Sequence, residues 1–164
     1  MKLYLVQHGE ALAKDVDPDR PLSDAGRSAV SAVGARLAAS GLRVGAIMHS
    51  GKTRAEQTAA LLAERLAAER PIEPRAGLNP NDPVAPLAAE AAAWHEDRML
   101  VGHLPFMAKL AGLLIGGGDS PDLVLFTPGS VLCLERSDGG RWHIAWMLRP
   151  ELLAGSSNLE RGHG

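Results

Sequence analysis

A single cysteine, Cys133, in 164 residues excludes an intramolecular disulfide and a cysteine-based zinc cluster. It lies inside an apolar alternating run and reads as a small buried hydrophobe. An excess of either charge is also missing. With 17 Lys and Arg against 19 Asp and Glu, bulk electrostatics points to neither nucleic acid nor a membrane surface as a partner. Any anion recognition must be local. No apolar window is long enough to cross a bilayer, and the first residues read as a strand rather than a basic-then-apolar signal segment. The expected location is cytoplasmic. Repeats and internal linkers are lacking as well, and this length suits one domain that buries roughly 68–70% of its unfolded surface. That domain is expected over 1–153, with 154–164 as a flexible tail of small and polar residues.

What is present is an alternation of two periods. Short apolar, β-prone runs at Lys2–Val6, Val44–Met48, Pro71–Arg75, Arg98–Val101, Leu123–Phe126, Val131–Glu135 and Trp142–Met147 read as buried strands. The last two are joined by Ser137-Asp138-Gly139-Gly140, a hairpin signal. Helical spacing follows Ser23 (Ala29, Val30, Val33, Leu37), Ser50 (Ala55, Ala59, Leu62, Leu66) and Pro105 (Met107, Leu110, Ala111, Leu114). A further Ala-rich helix is expected from Val84 to Trp94. Ser23 suits an N-cap, Gly41 a C-terminal stop and Pro105 a first turn. The expected fold class is α/β: a three-layer α/β/α sandwich on a mostly parallel sheet with an antiparallel edge hairpin.

In such sheets ligands bind beyond the carboxyl ends of the strands. Three strands deliver chemistry there. The first ends in Gln7-His8-Gly9, the second leads through His49-Ser50 to Lys52 and Arg54 at a helix start, and the fourth ends in Gly102-His103. Read alone, each is ambiguous. His8 suits a turn, a metal site or a reactive imidazole, and Gly9 either a tight bend or close approach of a ligand. Arg54 makes sense at a helix N-terminus with an anion beside it, or as a partner of Glu56 or water. A helix-capping role is equally open to His103. Together, two Gly-flanked histidines and an arginine at one sheet edge outline a single pocket.

The segments "LYLVQHGEA" (3–11), "DRPLSDAGR" (19–27), "SGKTRAEQTA" (50–59), "LNPNDP" (78–83), "MLVGHLP" (99–105) and "TPGSV" (127–131) carry a specific likeness. In order and spacing the chain resembles the histidine phosphatase superfamily, and within it the short SixA-type phosphohistidine phosphatases. The resemblance implies a phosphoglycerate mutase-like fold and a phosphatase whose nucleophile, His8, is transiently phosphorylated, with Arg54 and His103 as the phosphate-pocket Arg and second His. It implies neither cofactor nor metal. The substrate is expected to be a phosphohistidine protein, or else a small phosphoester such as a sugar or nucleoside phosphate.

One position departs from the family pattern: its opening motif is Arg-His-Gly, and here the first residue is Gln7. A neutral amide replaces a planar fork of donors, a loss on the order of 1.5–3 kcal/mol in a shielded pocket. The chain is therefore also readable as a phosphate- or phosphohistidine-binding module with weakened turnover. Arg20 is the leading substitute for the missing charge, ahead of Lys14 and Lys52. Gln7, Gly9, Arg20, Arg54 and His103 form the expected phosphate-binding set. For a proton donor to the leaving group, Glu10 and Asp82 are the candidates, although Asp82 sits in an Asn/Pro turn cluster that equally suits a structural role.

Overall fold

In the computed structural model, which describes residues 1–66 and 68–154, the alternation of periods becomes an alternation of elements. These are β1 (Lys2–Gln7), α1 (Asp24–Ala39), β2 (Ala46–His49), α2 (Thr53–Leu66), β3 (Glu73–Pro74), α3 (Ala85–Ala91), β4 (Arg98–Gly102), α4 (Phe106–Gly116), β5 (Val131–Arg136) and β6 (Trp142–Leu148), followed by a 3-10 turn at Pro150–Leu152. The sheet order is β3-β2-β4-β1-β5-β6. β1, β2, β3 and β4 run parallel, whereas β5 is antiparallel to β1 and β6 antiparallel to β5. The expected tail falls, from residue 155 onward, outside the described residues.

Each central strand divides its side chains between two cores, as the period of two requires. Leu3, Leu5, Leu100, Leu132 and Leu134 pack with α3 and α4. Tyr4, Val6, Ile47, Met99, Val101, Val131 and Cys133 pack with α1 and α2. Helices on both faces give the three-layer sandwich expected. Burial pushes the Cys133 thiol up to about 11, in keeping with an inert apolar group.

Two strands differ from expectation. The run Leu123–Phe126 does alternate, with Val124 and Phe126 buried and Leu123 and Leu125 exposed, yet it forms no strand. Every interior strand already has two neighbours, so its backbone has no interior ladder to join and only its inner side chains are used. Pro71–Arg75 shrinks to the exposed pair Glu73–Pro74 at the sheet edge, where proline is tolerated.

Three local features aim the strand ends. Ser23 caps α1 by accepting from the Gly26 N–H at 3.0 Å, and its backbone N–H donates to the Glu10 carbonyl at 3.0 Å, which ties the loop after β1 to that helix. α1 ends at Ser40, with Gly41 following at a φ of 81°. β1 and β4 finish in register, Gln7 opposite Gly102, so His8 and His103 leave the sheet side by side.

Candidate active site

His8 stands just beyond β1 with both ring nitrogens engaged. Nδ1 lies 2.7 Å from the Gly9 carbonyl, which can only accept, so Nδ1 carries the proton. Nε2 is left with a lone pair, and Arg54 donates to it from Nε at 3.3 Å. Burial pulls the imidazole down to about 4, with Arg54 and Arg20 pushing the same way and the Gly9 carbonyl opposing. At neutral pH the ring is uncharged.

Arg54 comes from the first turn of α2. Burial and the charge of Arg20 lower its pKa from the usual arginine value. One turn on, Thr58 is fully buried and donates to the Arg54 carbonyl at 2.8 Å while accepting the Gly9 N–H at 3.0 Å. A single hydroxyl therefore joins the loop carrying His8 to the helix carrying Arg54.

His103 is 1% exposed, and its ring centre lies 5.0 Å from that of His8. Its Nε2 is 2.6 Å from Ser50 Oγ, and its Nδ1 is buried without a partner. Burial first, then the nearby His8, Arg54, Lys52 and Arg20, bring its pKa down to about 3. Gln7 is 9% exposed, and its Oε1 is likewise buried and unpartnered. The Gln7 and His8 carbonyls both accept from the Gly129 N–H, at 3.0 and 3.1 Å, and the Gln7 N–H donates to Ser130 at 3.2 Å. The segment 127–130 thus backs the first strand end.

Arg20 adopts a φ of 49°, a left-handed backbone that costs a non-glycine residue about 1–2 kcal/mol. Its Nε donates to the Leu12 carbonyl at 3.2 Å, and its charge depresses the pKa of His8, Arg54 and His103 alike. Lys52 is exposed and acts on His103 alone among these, and Lys14 is exposed in the loop between. The two candidate carboxylates each accept a hydrogen bond from the protein. Glu10 accepts from the Ser23 hydroxyl at 2.8 Å, and Asp82 accepts from the Asn79 N–H at 2.9 Å. His49 is buried and accepts from the Gly51 N–H at 3.1 Å, while His95 and His143 are exposed.

Gly9 is explained by packing. A Cβ there would lie 2.7 Å from a Val30 methyl, 3.2 Å from Leu22 and 3.3 Å from the Gly26 carbonyl, so glycine lets α1 close on the loop. Among the described residues no three His, Cys, Asp or Glu side chains are grouped to hold a metal. A concavity of about 680 Å³ between α4 and β6 is lined by Leu114, Ile115, Trp142 and their neighbours and includes none of His8, Arg54, His103 and Arg20.

The sequence reading missed Ser50, Thr58 and Ser130. Thr58 had a usable signal: it is a polar residue between Ala55, Ala59 and Leu62 on the buried face of an amphipathic helix.

A family model described as histidine phosphatase superfamily, branch 1, matches residues 3–81. An uncharacterised protein of Picosynechococcus is 32% identical over 140 residues, covering 80% of this chain and 83% of that one. The mitochondrial serine/threonine-protein phosphatase PGAM5 of Rattus norvegicus is 29% identical over 101 residues, 58% of this chain, and the match spans only 35% of PGAM5. In three dimensions the protein histidine phosphatase SixA, solved with tungstate, superposes with a TM-score of 0.83 at 22% identity, over 93% of this chain and 99% of that one. The shared fold is phosphoglycerate mutase-like. The histidine phosphatase superfamily model matches this chain from β1 through β3, and over nearly its full length the chain has the fold of SixA.

Proposed function

We propose that the chain is a metal-independent phosphatase working through a phosphorylated His8. The observation that carries this reading is the state of His8: a neutral ring, its proton held on Nδ1 by Gly9, its Nε2 lone pair facing Arg54. A neutral imidazole is a good nucleophile at pH 7, and covalent capture divides one hard displacement into two easier ones. In the first step Nε2 bonds to phosphorus, and the bond to the leaving group breaks with its electron pair going to that group. In the second, water attacks phosphorus, the P–Nε2 bond breaks, and phosphate leaves with Nε2 regaining its lone pair. Arg54 serves both, moving its donors from Nε2 to the phosphoryl oxygens, with Arg20 adding charge.

Phosphohistidine on a protein is the favoured substrate. Glu10 is held by the N-cap serine of α1 and Asp82 within a turn, which suits a leaving group needing little protonation, as an imidazole does. Small phosphomonoesters are the second substrate class. A different reading, a binding module with weakened turnover, is favoured by Gln7, whose amide replaces a charged fork.

Incubating wild type and His8→Ala with a phosphohistidine protein and with a generic phosphomonoester separates these. Release of phosphate and an acid-labile label on wild type alone support the phosphatase. Binding without release or label supports the module, and release that survives His8→Ala removes the nucleophile.

A further inference from the structure

His103 presents a puzzle of protons. Its Nε2 meets Ser50 Oγ at 2.6 Å, a contact that either atom could donate, and its Nδ1 is buried with no partner. If Ser50 donated, the imidazole proton would sit on Nδ1 as an orphaned buried N–H, which is rarer and costlier than an unpaired acceptor. If Nε2 donates, only a lone pair is left unpaired. Ser50 Oγ also accepts from the Lys52 N–H at 3.4 Å. With both lone pairs of Ser50 taken, its own hydroxyl proton is the one donor not yet used.

Resting on the phosphatase reading above, we propose that Ser50 is a positioning residue of the pocket: it holds His103 in the Nε2–H form and turns its hydroxyl proton toward the bound phosphoryl group. The His103 ring centre is 5.0 Å from that of His8, and Ser50 Oγ is one hydrogen bond from His103, which puts the three groups at the same end of the sheet. Ser50 is partly exposed, as a group meeting a ligand must be, whereas His103 is 1% exposed. The depression of the His103 pKa to about 3 agrees, since a neutral ring has a tautomer to be chosen. Ser50 thus supplies a neutral donor in a pocket where Gln7 has replaced a charged one.

The test reads the tautomer and the anion separately. Imidazole ¹⁵N shifts of the full chain at pH 7, with the His103 signals assigned from a His103→Asn variant, are expected to show a protonated Nε2 and an unprotonated Nδ1. In Ser50→Ala they move toward a mixture of tautomers, and in Ser50→Thr they stay as in wild type. Inorganic phosphate is expected to bind Ser50→Ala about tenfold more weakly and Ser50→Thr within about threefold of wild type. A protonated Nδ1 in wild type, or shifts unchanged in a folded Ser50→Ala, overturns the positioning role. Unchanged phosphate affinity in Ser50→Ala overturns the donor role. Failure of the phosphatase reading shows instead as wild type without turnover, which leaves the ¹⁵N result standing.

Discussion

Strand β1 ends Gln7-His8-Gly9 and strand β4 ends Gly102-His103-Leu104, and in both the ring is kept neutral by burial. The two histidines are held differently. His8 is fixed locally, by the carbonyl of the next residue on Nδ1 and by Arg54 on Nε2. His103 is fixed from a distance, by Ser50 at the end of β2, and its other nitrogen has no partner. The glycines differ too. At Gly9 an added Cβ meets the stiff Val30 side chain, whereas at Gly102 it meets chiefly the flexible end of Met107, at 2.6 Å. Similar letters at two strand ends thus yield one ring set up to react and another set up to assist.

The hardest test of that asymmetry is replacement of each ring. His8→Ala is expected to lower turnover by on the order of 10⁴-fold or more and to abolish the acid-labile label, whereas His103→Ala costs roughly 10²–10³-fold and keeps the label. Equal losses in single-turnover assays would erase the distinction. Gln7→Arg, which restores a charged fork beside His8, is expected to raise kcat/KM roughly tenfold or more. No gain would mean that Arg20 already fills that place.

A smaller effect separates the glycines. Gly9→Ala is expected to destabilise the fold by about 1–3 kcal/mol because Val30 cannot swing away, and Gly102→Ala by less because Met107 can, as measured by urea unfolding. The smallest is a slope with pH. Folded His8 and His103 protonate near 4 and 3, against about 6.5 when unfolded, so between pH 6.5 and 4 the unfolded chain binds more protons. Stability therefore falls as pH drops through that window, and His103→Gln should remove only its own share of the slope. Phosphate, which neutralises the repulsion from Arg54 and Arg20, is expected to be bound with proton uptake in the same window. Calorimetry in buffers of different ionisation enthalpy measures it.

Much of this was legible in the sequence because strand ends are legible. An apolar run that stops at a polar residue and a glycine marks a carboxyl edge, and the topology gathers such edges, which is why His8, Arg54 and His103 could be named together. Side-chain hydroxyls were not legible in the same way. Ser50 and Ser130 carry no signal of their own in the sequence: Ser130 bonds Thr127 within a local turn, and the bond of Ser50 to His103 depends on the register of strands far apart in the chain. Gly9 shows a subtler gap. A tight bend and close approach of a ligand were the readings open to it, and the demand comes from Val30, Leu22 and Gly26, none of which its neighbourhood in the chain reveals. Leu123–Phe126 is a continuous apolar run whose burial alternates only in the fold, and an apolar run says nothing about whether a ladder is free.

Thr58 has a consequence for tolerance. His8 and Arg54 are 46 residues apart along the chain, yet through one oxygen the loop after β1 and the first turn of α2 are joined by two hydrogen bonds of 3.0 and 2.8 Å. Errors in the intervening hinges and turns do not accumulate along that shortcut. The stretch from 12 to 50 can drift, lengthen or shorten in its loops while the distance between the imidazole and the guanidinium is kept. What evolution can alter cheaply here is the surface path, and what it cannot alter without loss is a single buried hydroxyl.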